Sequence, residues 1–283
     1  MLKRRDFLKS AAVIAGTGLL PQAVRSARLT TADDLAFIDF ETFLPAEFDG
    51  RPFGPEGLTA LADEAGVGRF IVFPETTPRP DNADLAKRIK GYPRLIGCAS
   101  VNPAFGGAEP ARELETAVKD LGFRGVRVSP TLHQYPLDAE IALSVLAKAR
   151  DLRVPVTIDG DSENCKPSQI AAVALKFPEV PFIMDMGFRA PVRPPEIEFG
   201  NEMREVVKKC PNLHLGLTAL TACQPAYLMS TIWTGGPERV VFGSYAPSGI
   251  PLFAVKGLKW ARLDPKAEAL IFRENLKKIY KLG

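Results

Sequence analysis

Residues 122–130 read Gly-Phe-Arg-Gly-Val-Arg-Val-Ser-Pro, a β-branched run that ends in a polar residue and a proline. Side chains along a strand point alternately to its two faces, so Val126 and Val128 share one face while Arg127 and Ser129 share the other. Valines suit the face of a parallel sheet that packs against helices. The segment therefore predicts a buried parallel strand that directs Arg127 and Ser129 away from the helix layer.

Runs of this kind recur after residue 30, and segments of helical periodicity separate them, which is the pattern of βα units. The predicted strands are 36–43, 68–75, 94–101, 123–129, 154–160, 181–186, 213–218 and 239–244. The predicted helices are 56–65, 81–90, 109–120, 138–151, 167–176, 196–209 and 224–234. A last helix is indicated by Asp264 as its capping residue and Pro265 in its first turn.

Eight βα units in about 250 residues predict an α/β fold of one domain, a single (β/α)8 TIM barrel. A doubly wound open sheet is the alternative. That fold usually has a glycine-rich turn after its first strand, whereas residues 40–45 read Phe-Glu-Thr-Phe-Leu-Pro. The barrel is therefore the preferred prediction, and it locates an active site at the C-terminal ends of the strands.

The composition excludes several classes of protein. The chain has 283 residues, of which 46% are hydrophobic and 24% charged, as is typical of a globular domain. A net charge of +3 without a basic aromatic patch argues against nucleic-acid binding. No apolar run approaches the roughly 20 residues that span a bilayer, so we expect no integral membrane segment. The cysteines are too scattered for a disulfide framework or a zinc site, and we expect buried small hydrophobes at Cys98, Cys165, Cys210 and Cys223.

The first residues have the features of an export signal. Residues 3–5 are basic, residues 11–20 are apolar, and Pro21 and small residues follow. The paired arginines, followed by Phe-Leu-Lys, resemble a twin-arginine (Tat) signal. We predict that residues 1–27 are a cleaved Tat signal peptide and that the barrel domain spans 28–283. The Tat export machinery would deliver the protein to the periplasm or secrete it. The alternative is a basic amphipathic helix on the surface.

Polar residues accumulate where the predicted strands end. The expected mouth of the barrel holds Glu41, Glu75, Asn102, Arg127, Ser129, Asp159, Asp161 and Tyr245. On the first strand, simple alternation assigns Asp39, Glu41 and Phe43 to the barrel interior. His133 lies in the loop after the fourth strand, where a surface role and a place in the site are both open. His214 begins the seventh strand and is expected to be structural.

Two interpretations of this polar cluster stay open. Arg127 pairs with one or two acids as a structural ion network, or it binds an anionic substrate while a carboxylate acts as general base. Both interpretations need the same residues, so the sequence does not separate them.

Six segments together resemble the amidohydrolase-related family of metal-dependent barrels, a group that includes decarboxylases, lactonases and hydrolases of C–C or C–N bonds. The segments are residues 37–44, 122–130, 154–159, 182–187, 239–247 and 272–276. The first of them resembles the family's opening strand, Ile-Asp-x-His-x-His, and the fifth resembles Arg-Val-Leu-Phe-Gly-Ser-Asp-Tyr-Pro. The resemblance covers nearly all of the chain after the predicted signal. It implies the barrel fold and a small-molecule substrate.

This chain departs from the family pattern at the expected metal ligands. By resemblance, the positions of four histidines and one aspartate are held here by Glu41, Phe43, Asp159, Met186 and Tyr245. Phe43 and Met186 offer a hard cation no useful ligand, and catalytic zinc normally takes three protein ligands. We therefore predict that the histidine-held metal is absent.

Two substitutes for the metal stay open. Glu41 and Asp159 hold Mg²⁺ or Ca²⁺ together with waters, since hard cations prefer oxygen ligands, or Arg127 supplies the positive charge instead. Buried like charges cannot all stay ionised without a cation, so we expect one of the two. Asp185 has the wrong parity to join this site unless the strand end bulges.

The resemblance and the polar mouth lead to two functional hypotheses. The first is an exported hydrolase or lyase of small organic acids or lactones that works without a transition metal. Its base would be Asp159 or Glu41, its anion clamp Arg127, its proton donor Tyr245 or His133, and its further substrate-binding residues Ser129, Asn102 and Glu75. The second is a non-catalytic barrel, a pseudoenzyme, that binds a ligand or partner in the periplasm. The sequence leaves open whether the protein is an enzyme, and whether residues 190–195 form a lid or a rigid connection.

Overall fold

The computed structural model describes residues 37–159, 163–186 and 196–283. The predicted signal peptide, Asp161 and the proline-rich loop at residues 190–195 lie outside the described residues. The predictions about them therefore stay predictions.

Short parallel strands dominate the described chain. The strands are β1 Phe37–Phe43, β2 Glu47–Phe48, β3 Arg51–Pro52, β4 Val67–Phe73, β5 Leu95–Gly97, β6 Ala99–Val101, β7 Val126–Val128, β8 Val156–Ile158, β9 Phe182–Asp185, β10 Leu213–Leu217 and β11 Val240–Phe242. The β2 and β3 strands pair with each other as an antiparallel hairpin, and all the other pairings are parallel. Each of the eight predicted strand segments overlaps one of these parallel strands, and the third contains two.

The pairing order is that of a barrel. One sheet has the order β1-β4-β5, and the other runs β6-β7-β8-β9-β10-β11. β5 and β6 are two halves of one predicted strand, divided at Cys98, whose N–H donates to the carbonyl of Val72. β1 and β11 meet at a single bridge between Phe40 and Gly243 rather than along a ladder. The α/β prediction with eight parallel strand positions in sequence order is confirmed.

The helices follow the strands as the sequence indicates, and two helices, Ala219–Cys223 and Pro251–Trp260, are additional to the predicted set. They are α1 Pro55–Ala65, α2 Asn82–Ile89, α3 Glu109–Lys119, α4 Glu140–Leu152, α5 Pro167–Lys176, α6 Glu196–Lys209, α7 Ala219–Cys223, α8 Pro225–Gly235, α9 Pro251–Trp260, α10 Pro265–Ala269 and α11 Asn275–Tyr280, with a π-helical segment, Leu270–Glu274, between the last two. Asp264 caps α10 as predicted, since its Oδ1 accepts from the N–H groups of Lys266 and Ala267, both at 3.0 Å. None of the described helices combines the length and the apolar character that crossing a bilayer requires.

Two hydrophobic layers position the strands. The outer layer lies between strands and helices and contains Val126 and Val128, as the alternation predicts. The inner cluster contains Ile38, Phe40, Ile71, Phe73, Cys98, Ile183 and Val241, together with Leu276, Ile279 and Tyr280 from α11. A Cβ added at Gly125, just before β7, would meet the Tyr280 ring at 2.9 Å. The α11 helix therefore covers the N-terminal ends of the strands and leaves the C-terminal ends for a site.

The predicted alternation along β1 is wrong because the strand contains a bulge. Asp39 lies opposite Phe70 of the outer layer, whereas Phe40 belongs to the inner cluster. The register against β4 then shifts between Asp39 and Thr42, and Glu41 has a φ of 59°. A positive φ is uncommon for a residue other than glycine. The extra residue brings Glu41 to the inner side next to Phe40, so Asp39 does not share the orientation of Glu41.

Candidate active site

The side chain of Arg127 connects the ends of several strands. It is fully buried, and its Nε donates to Oε1 of Glu41 at 3.0 Å. Its Nη1 donates to Oγ1 of Thr76 at 3.2 Å, and its Nη2 donates to Oδ2 of Asp159. The guanidinium carbon lies 5.0 Å from the centre of the Phe43 ring, within the range of a cation–π contact. One cation thus joins β1, β7, the end of β8 and the loop after β4.

Glu41 is the most deeply buried carboxyl group of this Arg127 cluster. Its side chain is 0% exposed, and its second oxygen, Oε2, has no hydrogen-bond partner among the described residues. Burial raises the pKa of Glu41 well above its usual value; the charge of Asp185 adds to this effect and that of Arg127 opposes it. Glu41 is therefore harder to ionise than an exposed glutamate.

Asp185 belongs to the cluster, which corrects the parity predicted for its strand. Ile183 of β9 lies in the inner cluster, and Asp185, two residues later, shares its face, whereas Met186 lies in the outer layer. The Oγ1 of Thr218 donates a hydrogen bond to Oδ1 of Asp185. The inward residue at the end of this strand is thus an acid, and the site contains three carboxyl groups, two of which pair with the guanidinium of Arg127.

Asp159 and Tyr245 form the more accessible part of the cluster. The Asp159 side chain is 28% exposed, although one of its oxygens accepts from Arg127. The Tyr245 ring meets the Phe43 ring edge to face, with centroids 4.8 Å apart, and its backbone has a φ of 65°. Burial raises the pKa of Tyr245, with Arg127 opposing the rise, so its hydroxyl group stays protonated at neutral pH. Asp159 offers a carboxylate and Tyr245 a proton.

The turn after β7 contributes three polar groups beside the cluster. Nε2 of His133 lies 3.2 Å from the carbonyl oxygen of Thr77, which can only accept, so we assign the proton to Nε2. Three buried atoms then have no partner within the described parts of the chain: Nδ1 of His133, Oγ of Ser129 and the hydroxyl of Tyr135. Burial lowers the pKa of His133, which leaves its ring neutral. Buried polar groups usually have partners, so these three atoms are exceptions within the described residues.

The structure does not bring every predicted site residue to Arg127. Both ends of the Asn102 amide are engaged, Nδ2 with the carbonyl of Pro78 at 3.0 Å and Oδ1 with the N–H of Ala104 at 2.9 Å. Glu75 is exposed and lines a separate cavity of about 140 Å³. Its neighbour Thr76 contacts the guanidinium instead.

Four site residues were missed by sequence reasoning: Thr76, Tyr135, Asp185 and Thr218. Tyr135 stands two residues after His133 in a turn already singled out, and that proximity was the available signal. For Thr218 the signal was strand alternation, which assigns it to the inward face of the seventh strand together with Gly216. His214 at the start of β10 is largely buried, which lowers its pKa to about 4 and agrees with a structural role.

The strands are parallel and follow barrel order, and acids and an arginine lie at their C-terminal ends. These features identify the class of protein as a (β/α)8 barrel with its site at the strand ends. The chain belongs to the amidohydrolase family, whose sequence model matches residues 32–282. No curated protein matches the chain in sequence.

Solved structures share the fold at low sequence identity. An amidohydrolase from Burkholderia multivorans, solved with bound zinc, is 14% identical over 88% of this chain and 100% of its own, with a TM-score of 0.72. The 5-carboxyvanillate decarboxylase of Sphingomonas paucimobilis is 14% identical over 88% of this chain and 100% of its own, with a TM-score of 0.67. A probable 2-pyrone-4,6-dicarboxylic acid hydrolase from Acinetobacter baumannii, with citric acid bound, is 17% identical over 87% and 99%, with a TM-score of 0.66.

The residues at this site do not fit a histidine-held metal. Glu41 and Asp159 each have an oxygen engaged by Arg127, whose guanidinium lies between them. The Phe43 ring covers that guanidinium, and Met186 packs in the outer layer. Within the described residues, no three His, Cys, Asp or Glu side chains form a group that could hold a metal ion.

Proposed function

We propose that this protein hydrolyses small, neutral, activated esters of the lactone type without a histidine-held metal. The single observation that carries the proposal is the charge arrangement, in which one buried guanidinium pairs with the carboxyl groups of Glu41 and Asp159 while the charge of Asp185 acts on Glu41. Among the described residues, the cluster offers no further cation for an anionic substrate. Of the acids and lactones that the sequence leaves open, a neutral lactone therefore suits the site better.

The proposed reaction begins at Asp159, the partly exposed carboxylate. Asp159 removes a proton from a water molecule as the water oxygen attacks the lactone carbonyl carbon. Arg127 acts as a positioning residue, because its contacts with Glu41 and Asp159 hold both carboxyl groups in place and its charge compensates theirs. This role replaces the anion clamp that the sequence suggested.

The ring carbon–oxygen bond then breaks, and the leaving oxygen needs a proton. Tyr245 supplies this proton in the proposal. The proton that Asp159 took from water then passes to Tyr245 and restores its hydroxyl group. The net reaction consumes one water and gives a hydroxy acid.

Activity assays with matched variants test the proposal. γ-Butyrolactone and a phenyl-substituted lactone would be compared with benzoate, in the presence and absence of a chelator, and hydroxy-acid formation would be followed by chromatography. We expect chelator-resistant lactone hydrolysis, a loss of about 100-fold or more in Asp159→Asn, and no change in Glu75→Gln, a matched exposed acid. A requirement for stoichiometric zinc, manganese or iron, or full activity in Asp159→Asn, would contradict the proposal.

A non-catalytic binding barrel is the second candidate, and one observation favours it. Arg127 is fully buried, and its Nε, Nη1 and Nη2 each have a protein partner, as in a purely structural ion network. Lactone binding by calorimetry without turnover by any tested lactone would support this candidate over the hydrolase.

Export by the twin-arginine route is a further part of the proposal, and it is supported by residues 3–9 of the sequence. Cell fractionation tests it: the protein should reach the periplasm or medium in a shortened form, and Arg4→Lys with Arg5→Lys should retain it in the cytoplasm. An unshortened cytoplasmic wild-type protein would contradict it.

A further inference from the structure

A second cavity, of about 310 Å³, adjoins the Arg127 cluster at Tyr245. Its walls come from α7, from the segment after β11 and from the start of α9. The apolar part of the wall includes Ala219, Ile250, Phe253 and Ala254, and none of the residues lining it carries a charge. Ile250 is 46% exposed and Phe253 is 56% exposed, so apolar surface faces solvent there.

Two residues place this cavity next to the Arg127 cluster. Tyr245 lines the cavity, and its ring packs on Phe43, which covers the guanidinium of Arg127. Ala219 lines the cavity, and its neighbour Thr218 donates to Asp185. A molecule bound at Tyr245 therefore has the charged cluster on one side and the uncharged cavity on the other side.

We infer that this cavity binds an uncharged aryl or alkyl substituent of the substrate, and that Phe253 and Ser248 at its rim control which substituents enter. The inference deepens the proposed function. It rests on that function because it treats the bound molecule as a substrate. A cavity of about 150 Å³ is enough to bind benzene, so the available volume accepts an aromatic ring with a short extension. Covering the exposed apolar parts of Ile250 and Phe253 would contribute favourable binding energy.

An anionic group is the other occupant to consider, because barrels often bind phosphate at the loops after their last two strands. Here the N–H of Gly249, just before α9, already donates to the carbonyl of Tyr245 at 2.9 Å. No basic side chain is among the residues lining the cavity. The uncharged occupant is therefore favoured, and phosphate becomes an outcome of the test.

Cys223 provides a measurement that does not depend on catalysis. It lines the cavity and is exposed, whereas Cys98, Cys165 and Cys210 are buried. The rate of Cys223 alkylation by iodoacetamide would be followed by intact-protein mass spectrometry, with benzyl alcohol or inorganic phosphate as the probe. At a benzyl alcohol concentration about ten times its Kd, the rate should fall about tenfold, and phosphate should not change it.

Three variants of exposed residues make the test specific. Ser248→Trp should fill the cavity and abolish the protection by benzyl alcohol, and Phe253→Ala should weaken it. Trp260→Ala is the matched control, because Trp260 lies on the same helix, is 61% exposed and does not line the cavity. In Trp260→Ala, benzyl alcohol should protect Cys223 from alkylation as much as it does in the wild type.

Protection by phosphate, protection that survives in Ser248→Trp, or no protection in the wild type would overturn the inference. These results are distinct from failure of the proposed function. Protection without lactone turnover would retain the binding cavity and reject the hydrolase. Turnover without protection, and without preference for the phenyl-substituted lactone, would reject the cavity assignment alone.

Discussion

The main-chain N–H of Ser244 donates a 2.7 Å hydrogen bond to Oδ1 of Asp39 across the junction of the first and last barrel strands. This junction has a single bridge, between Phe40 and Gly243, in place of a ladder. The other oxygen of Asp39, Oδ2, is buried without a partner in the described structure. Burial raises the pKa of Asp39 from 3.8 to about 7, against the opposing effect of Ser244.

Asp39 should therefore make the protein less stable as pH rises. Between pH 3.8 and about 7 the folded state binds more protons than the unfolded state at this group, so its contribution is fully present below pH 3.8 and is lost as pH rises through 7. Three pKa units correspond to about 4 kcal/mol. The free energy of unfolding would be measured with urea from pH 4 to 8. That of the wild type should fall over this range relative to that of Asp39→Asn.

Asp120→Asn, which changes an exposed carboxyl group, is the control for Asp39→Asn and should follow the wild-type pH dependence. His214 acts in the opposite direction, because its pKa is lowered from 6.5 to about 4 and its contribution is lost as pH falls through this range. Both proteins contain His214, so its effect cancels in the difference between the unfolding free energies of the wild type and Asp39→Asn. Parallel curves for the two proteins would show that Asp39 does not titrate as described.

Removing Arg127 should destabilise the protein strongly. Arg127→Met leaves the carboxyl groups of Glu41 and Asp159 without their cation, and breaking such a buried pair costs about 3–5 kcal/mol. Arg150→Met, at an exposed ion pair with Asp151, should change the unfolding free energy by less than about 0.5 kcal/mol. The free energy would be measured by urea denaturation.

A triple variant keeps the Arg127 prediction testable if Arg127→Met does not fold. Adding Glu41→Gln and Asp159→Asn removes the uncompensated charges and should restore most of the lost stability. If the triple variant is as unstable as Arg127→Met, the cost comes from lost packing rather than from charge, and the electrostatic account of the cluster is wrong.

The two histidines should both be neutral at pH 7. Burial lowers the pKa of His133 and that of His214, the latter to about 4. Nitrogen-15 NMR of the imidazole rings should show little change between pH 7 and 8, with His133 protonated at Nε2 toward Thr77. A pH dependence of activity in this range would then have another origin. A His133 ring that titrates at or above 6.5 would contradict the prediction.

Hydrophobic patterning was sufficient for the barrel, because eight β-branched runs need a helix layer on their outer face, and Val126 and Val128 lie there. It could not locate α9, which begins at Pro251 after Ile250, a residue whose side chain makes no capping hydrogen bond. Residue alternation placed Arg127 correctly within a regular strand. Residue alternation failed at Glu41, because the bulge there is a backbone conformation that the local residue types do not indicate.

Substituting phenylalanine for Tyr135 should stabilise the unliganded protein. The Tyr135 hydroxyl is buried and has no hydrogen-bond partner among the described residues, and leaving such a group unpaired costs about 1–3 kcal/mol. Tyr135→Phe removes that cost and should raise the unfolding free energy by about 1 kcal/mol, measured by urea denaturation. Tyr227→Phe, a matched change in α8 that removes no such buried, unpaired group, should leave it unchanged. If Tyr135 serves a bound substrate, Tyr135→Phe should also bind or hydrolyse the lactone less well. Destabilisation would show instead that the hydroxyl has a partner in the folded protein.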